Sequence, residues 1–179
     1  MADDPSTIDL TLPELRAVAS YAVACAEPAL ALVERDRPDD VRPRAAVEAA
    51  RTFAAGGDRT KALRDTAWAA QRAARDALDA GHAPAAEAAR AALAAAGAAF
   101  LHPLPKATQV KHILGSAAHA ARALELDAGG DPAVGAEHLA RCRALAGPGV
   151  VDVLRRYPRA PEGGGRVGEL VRQLDAAVR

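Results

Sequence analysis

Apolar residues recur every three or four positions along most of the chain, which is the spacing of one face of an α-helix. Runs of alternating or β-branched residues long enough for a strand do not occur in the 179 residues. The pattern predicts an all-α single domain, residues 1–179, of seven or eight antiparallel helices. These helices are expected to form either a bundle or a short superhelix of helical hairpins.

Capping residues, prolines and glycines divide the helical pattern into segments. A capping box, T-L-P-E at residues 11–14, starts a first helix that ends near residue 36, and Pro28 is expected to kink or break it. Asp58 is predicted to cap the third helix. The other segments are an N-terminal tail at 1–10, a stiff elbow at 102–105, a flexible loop at 158–165, and helices at 43–55, 59–80, 84–100, 108–126, 132–145, 150–157 and 167–178.

Composition and charge narrow the range of partners. Alanine supplies 49 of the residues, so helix axes can approach closely. The 23 basic and 23 acidic residues balance, which argues against nucleic acid or a membrane surface as a partner. Residues 1–40 carry nine acids and three bases. This excess indicates an acidic first helix docked on a basic body or, alternatively, an acidic partner-binding arm.

Cysteine usage and the N-terminus indicate a cytoplasmic protein. Cys25 and Cys142 lie in apolar helical patterns without metal-type spacing, so buried reduced thiols are expected. The first ten residues are acidic and lack the apolar stretch of a signal peptide.

The third helix carries one group of candidate binding residues. Asp65, Trp68, Arg72 and Asp76 follow a spacing that places them on one face. One interpretation is a half-buried Trp68 anchor beside an Arg72 clamped by both acids. The other is a recognition face, because an exposed tryptophan is a favoured binding residue.

The fifth helix carries a second group, Gln109, His112, His119 and Arg122, with Arg122 expected to pair with Glu125. Seven residues separate the two histidines by about 10.5 Å along the axis, too far for both rings to bind one metal ion. Each imidazole is expected to contact a carboxylate or carbonyl of a neighbouring helix or, alternatively, to have a pH-sensitive or ligand-contacting role. No phosphate-loop, dinucleotide, zinc-protease, serine-hydrolase or calcium motif occurs, so we predict no catalytic residue, metal or cofactor.

Four stretches resemble a known family: L-T-L-P-E-L-R-A-V-A at 10–19, W-A-A-Q-R-A-A-R-D-A at 68–77, E-A-A-R-A-A-L-A-A-A-G at 87–97, and the segment 106–126 that contains both histidines. They are similar to a bacterial family of putative immunity proteins, which are alanine-rich all-α chains. The resemblance implies a protein that neutralises a toxin by binding it.

Three hypotheses about function follow. The first is a cytoplasmic binding protein that occludes a cognate toxin with the faces of the third and fifth helices. The second is a small-molecule or enzymatic pocket lined by Trp68, His112 and His119, which requires both imidazoles to point into one concave site. The third is an interaction module that forms a homodimer through alanine-rich faces.

Overall fold

The computed structural model describes residues 7–179, which form eight α-helices and contain no strand. The predicted all-α fold is therefore confirmed. Two short 3₁₀ turns, Ala98–Phe100 and Ala107–Gln109, flank the elbow between the fourth and fifth helices. The helices are α1 Leu12–Asp36, α2 Arg42–Ala54, α3 Lys61–Asp79, α4 Ala83–Gly97, α5 Val110–Asp127, α6 Pro132–Leu145, α7 Pro148–Arg155 and α8 Gly165–Val178.

Helix α4 lies at the centre of the molecule, in contact with α1, α2, α3 and α5. Its buried side chains are all alanines. Because methyl groups keep the helix narrow on every side, four neighbours can pack against it at short axial distances. Helix α1 also packs on both α4 and α5. In a superhelix each hairpin contacts only its neighbours along the chain, so the architecture is a bundle.

The sequence predicted a kink or a break at Pro28, followed by a continuation to about residue 36; helix α1 continues through Pro28 without a break, so the second of these alternatives is wrong. Pro28 lies on the exposed side of the helix, and Ala24, whose carbonyl loses its hydrogen-bond donor, is partly exposed. Water can reach that carbonyl, which lowers the cost of the missing bond. On the opposite side Leu30 and Val33 are buried and hold the second half of the helix in the core.

The same helix has the length and mean hydropathy, 1.4 over 18 residues, of a membrane-crossing segment. It is the one such helix in the described part of the chain. Within the domain, however, 61% of that window is buried, and α1 packs against α2, α4 and α5. Burial in the bundle therefore accounts for its apolar character.

Several predicted helix ends shift in the structure. Helix α3 begins at Lys61 and is capped by Thr60 rather than Asp58. The Thr60 hydroxyl accepts a hydrogen bond from the Leu63 amide at 3.3 Å, the contact that a cap must make with the first turn. The predicted ends of the fourth and fifth helices at the elbow tighten into the two 3₁₀ turns, and α7 starts earlier than predicted, at Pro148.

The acidic first helix docks on the basic remainder of the domain, as the first of the two charge interpretations predicted. Its acids pair with arginines from α2 and from the end of α7. These pairs are Glu14–Arg156, Glu27–Arg51 and Glu34–Arg44. Three acids of α1 are thus compensated by arginines from other parts of the domain.

The two segments predicted as a tail and a flexible loop both contact the domain. Residues 1–6 of the tail lie outside the described residues, and the Ile8 amide donates to the Pro103 carbonyl at 2.8 Å. Between α7 and α8, the Arg172 guanidinium donates to the carbonyls of Pro161 and Gly163 at 3.1 and 2.8 Å. These bonds tie the loop to α8.

Candidate functional site

Trp68 lies on the outer face of α3 with 59% of its surface exposed. The opposite face of this helix, which includes Leu63, Ala70 and Ala74, is buried, and α3 packs against α2 and α4. The indole consequently points away from the core. The interpretation of Trp68 as a half-buried anchor is wrong.

The ion-pair ladder predicted on α3 does not form. Asp65 accepts from the Lys61 ammonium at 2.7 Å, and Asp76 accepts from the Arg42 guanidinium at 2.6 Å. Arg72 is exposed and pairs with no acid within residues 7–179. Asp65 pairs with Lys61, its i, i+4 neighbour on the side toward the N-terminus, and Asp76 pairs with Arg42 of the adjacent helix α2. Both acids therefore have a basic partner other than Arg72.

Three exposed side chains form a stripe on α3 that we call the α3 ridge: Trp68, Arg72 and Arg75. Their spacing places them within about 60° of one another around the helix. One turn earlier, the Arg64 guanidinium stacks over the Phe100 ring, 4.9 Å from its centroid. Tryptophan and arginine are the side chains most enriched at binding hot spots. The ridge therefore has the composition of a protein-contact surface.

His112 and His119 line one cleft of about 500 Å³, which we call the α5 cleft. Trp68 does not line it. The predicted pocket therefore contains its two imidazoles but not its indole, because α3 lies on the far side of α4 from α5. The cleft is lined by Glu87, Arg90, Leu93, Ala94 and Gly97 of α4, Lys111, His112, Gly115 and His119 of α5, and Gly164, Val167, Gly168 and Val171 at or near the start of α8.

A half-buried carboxylate, that of Glu87, orients His119. The Nδ1 atom of its ring lies 2.7 Å from Glu87 Oε2, and Glu87 also forms an ion pair with Arg90. Burial raises the pKa of Glu87, but the hydrogen bond from His119 and the charges of His119 and Arg90 outweigh it, so the net pKa lies below its usual value. Glu87 is therefore ionised at neutral pH and fixes the ring of His119.

A backbone carbonyl orients His112. Its Nδ1 lies 3.0 Å from the Gly97 oxygen, which can only accept, so Nδ1 carries the proton. Burial lowers the pKa of His112 and outweighs this bond, which raises it. At neutral pH the ring is uncharged, and Nε2 is free to accept. The prediction that each imidazole contacts a carboxylate or carbonyl of a neighbouring helix is confirmed. A ligand-contacting role stays a prediction.

The other two residues singled out on the fifth helix make structural contacts. Gln109 accepts from the His102 amide at 3.0 Å and holds the elbow. Arg122 pairs with Glu125 at 3.2 Å, as predicted, and Glu125 also accepts from Arg166 of α8. This second arginine could not be predicted from local spacing, because Arg166 lies 41 residues after Glu125 along the chain.

A family model described as Imm-5 like putative immunity protein matches residues 10–147. The chain belongs to this family. The match spans α1 to α6, including the α3 ridge and the α4 and α5 walls of the cleft, and ends before α7 and α8. No curated protein and no solved structure matches the chain.

Membership of the immunity-protein family favours a binding role over a catalytic one, and the sequence resemblance is thereby confirmed. Within the described residues no three His, Cys, Asp or Glu side chains converge to hold a metal ion.

Cys25 and Cys142 are buried free thiols, as predicted. Hydrogen bonds from Cys25 and from His138, whose Nε2 lies 3.3 Å from Cys142 Sγ, lower the pKa of the Cys142 thiol.

Proposed function

We propose that this member of the immunity-protein family is a cytoplasmic, non-catalytic protein that neutralises a cognate toxin by binding it through the α3 ridge. The observation that carries the proposal is the exposed indole of Trp68 beside the guanidinium groups of Arg72 and Arg75, which form no ion pair within residues 7–179. Family membership supports a protein partner in general.

The α3 ridge favours a partner whose surface is acidic around an apolar pocket. Arg72 and Arg75 make no ion pair within residues 7–179, so an acidic surface can bind them without breaking existing contacts. The indole of Trp68 adds a large apolar contact of low side-chain entropy, which suits an apolar pocket. We expect the toxin to present acidic side chains around such a pocket.

Two further observations support a cytoplasmic binding protein. Cys25 and Cys142 are free and buried, which suits a reducing compartment. The bundle consists of closely packed helices whose core is largely alanine, a rigid platform that loses little conformational entropy when it binds.

Co-expression with the product of the neighbouring gene, followed by size-exclusion chromatography and calorimetry of the purified complex, tests the proposal. We expect one complex with nanomolar affinity and loss of toxin activity in the complex. Trp68→Ala is expected to weaken binding by about 30-fold or more, the effect of losing a hot-spot residue worth about 2 kcal/mol.

Leu145→Ala is the matched control, because Leu145 is an exposed apolar residue, 53% exposed, at the end of α6. Its affinity should equal that of the unmodified protein. Full affinity in the Trp68→Ala variant would contradict the α3 ridge as the contact surface. Light scattering of the unbound protein tests the predicted homodimer in the same preparation.

A further inference from the structure

The α5 cleft has the size and lining of a small-molecule site. Its volume of about 500 Å³ lies within the usual range of ligand pockets, about 300–1,000 Å³. Helices α4 and α8 form its walls, and α5 forms its floor. The floor carries Gly115 between the two histidines, so no large side chain fills the space above it.

The two imidazoles stand at opposite ends of this floor, about 10.5 Å apart along the helix axis. Glu87 holds one ring through Nδ1, and the Gly97 carbonyl holds the other in the same way. Because an internal partner occupies Nδ1 in each case, Nε2 is the atom left for other contacts. This arrangement orients both rings before any ligand binds.

The net charge of the cleft is positive, because Glu87 and Arg90 neutralise each other and Lys111 remains. The carboxylate of Glu87 is matched by Arg90. Lys111, on the rim beside His112, is exposed and forms no ion pair in the part of the chain that the structure describes. Between the ends, the walls are apolar, with Leu93 from α4 and Val167 and Val171 from α8.

We propose that the α5 cleft binds a small aliphatic carboxylate. Its carboxylate group pairs with Lys111 at the rim, and its hydrocarbon chain lies over Gly115 between Leu93 and the valines of α8. The unpaired ammonium supplies the complementary charge, and the apolar walls supply the burial of the chain. This inference goes beyond the proposed function and is independent of toxin binding at the α3 ridge.

The probe is hexanoate, titrated into the full-length protein by calorimetry and by NMR of the histidine ring protons. We expect saturable binding that shifts the ring signals of His112 and His119. Acetate has the same charge without the chain and should bind at least tenfold more weakly, because each buried methylene contributes about 0.8 kcal/mol. Hexylamine has the chain with the opposite charge and should bind at least threefold more weakly than hexanoate, because it cannot pair with Lys111.

Lys111→Ala should weaken hexanoate binding about threefold, the effect of losing one exposed ion pair. Lys61→Ala is the matched control, because Lys61 is exposed on α3 outside the cleft and should leave the affinity unchanged. Gly115→Leu places a side chain on the floor and should abolish binding. Val167→Phe fills the cleft from the α8 wall. It replaces Gly115→Leu in the binding measurement if circular dichroism shows that Gly115→Leu does not fold.

Three results would overturn the proposal. They are equal binding of hexylamine and hexanoate, unchanged hexanoate binding in a folded cleft-filling variant, and absence of shifts at both ring signals. Toxin binding by the Lys111→Ala variant separates the two proposals, because the α3 ridge is intact in that protein.

Discussion

The α3 ridge and the α5 cleft both carry ring side chains on one face of a helix, but the face of α3 is exposed to solvent and the face of α5 lines a cleft. On α3 it turns Trp68 to solvent and leaves Arg72 without an acid among the described residues. On α5 it holds His112 and His119 by one ring nitrogen each, against partners from α4. A convex face with unpaired groups suits a protein partner, whereas a concave face with oriented groups suits a small ligand.

The largest expected difference between the two regions concerns Gly168, in the first turn of α8. A Cβ atom at this position would lie 2.0 Å from the Gly163 carbonyl oxygen, so the backbone must move. Gly168→Ala is expected to destabilise the protein by about 3 kcal/mol and to abolish hexanoate binding, while toxin binding at the α3 ridge persists. Urea denaturation measures the loss.

Gly115→Ala is the control for that variant, because its Cβ would make ordinary contacts, the nearest at 3.7 Å to Ala94. It should stabilise the helix by a few tenths to about 1 kcal/mol. Equal stability of Gly168→Ala and the unmodified protein would show that α8 does not need this close approach.

His119→Ala is expected to cost about 1.5 kcal/mol, because the half-buried Glu87 carboxylate keeps Arg90 but loses its second partner. His102→Ala, at an exposed histidine, should change the free energy of unfolding by less than about 0.5 kcal/mol. The Glu87→Gln, His119→Ala double variant should recover part of the loss in urea denaturation. Additive losses would mean that the two side chains are not coupled.

A smaller effect is expected from the titration of His112. Its pKa lies below the usual 6.5 in the folded protein, so the unfolded chain binds more protons in that window. Stability is therefore fully present above pH 6.5 and falls as the pH drops toward the folded pKa. NMR titration of the ring should give a midpoint below 6.5. The His112→Gln variant should lack this part of the pH dependence, and a midpoint above 6.5 would contradict the assignment.

The smallest effect on stability is expected at Trp68. Because its indole is 59% exposed, Trp68→Ala should change the free energy of unfolding by less than about 0.5 kcal/mol, against 3–5 kcal/mol for a buried tryptophan. Thermal melts of the variant measure this. A loss of about 3–5 kcal/mol would mean that Trp68 is buried, and it would contradict the solvent-exposed α3 ridge.

The sequence predicted the helices well because caps and breakers are local. The capping box at Thr11 and the Asp131-Pro132 start of α6 both lie where expected. The break that was one of the two alternatives at Pro28 does not occur, because a proline on an exposed face costs less than one inside the bundle. The spacing also placed Trp68 and Arg72 on one exposed face of α3, and His112 and His119 on the face of α5 that lines the cleft.

Which way each face points was not predictable, because alanine occurs on nearly every side of these helices. Periodicity separates core from surface only where large apolar residues contrast with polar ones. The α5 cleft adds a second difficulty. Its third wall comes from Val167 and Val171, more than 50 residues after His112 along the chain, and only packing brings them together.

The amino-acid sequence by itself determined the all-α class, the order of the helices and membership of the immunity-protein family, since these follow from local spacing and composition. Tertiary packing alone decided that Trp68 is exposed, that Asp65 and Asp76 bind other bases, and that two imidazoles share a cleft with α8. The reason is physical: hydrogen bonds within a helix reach four residues, whereas burial and ion pairing depend on neighbours from distant parts of the chain.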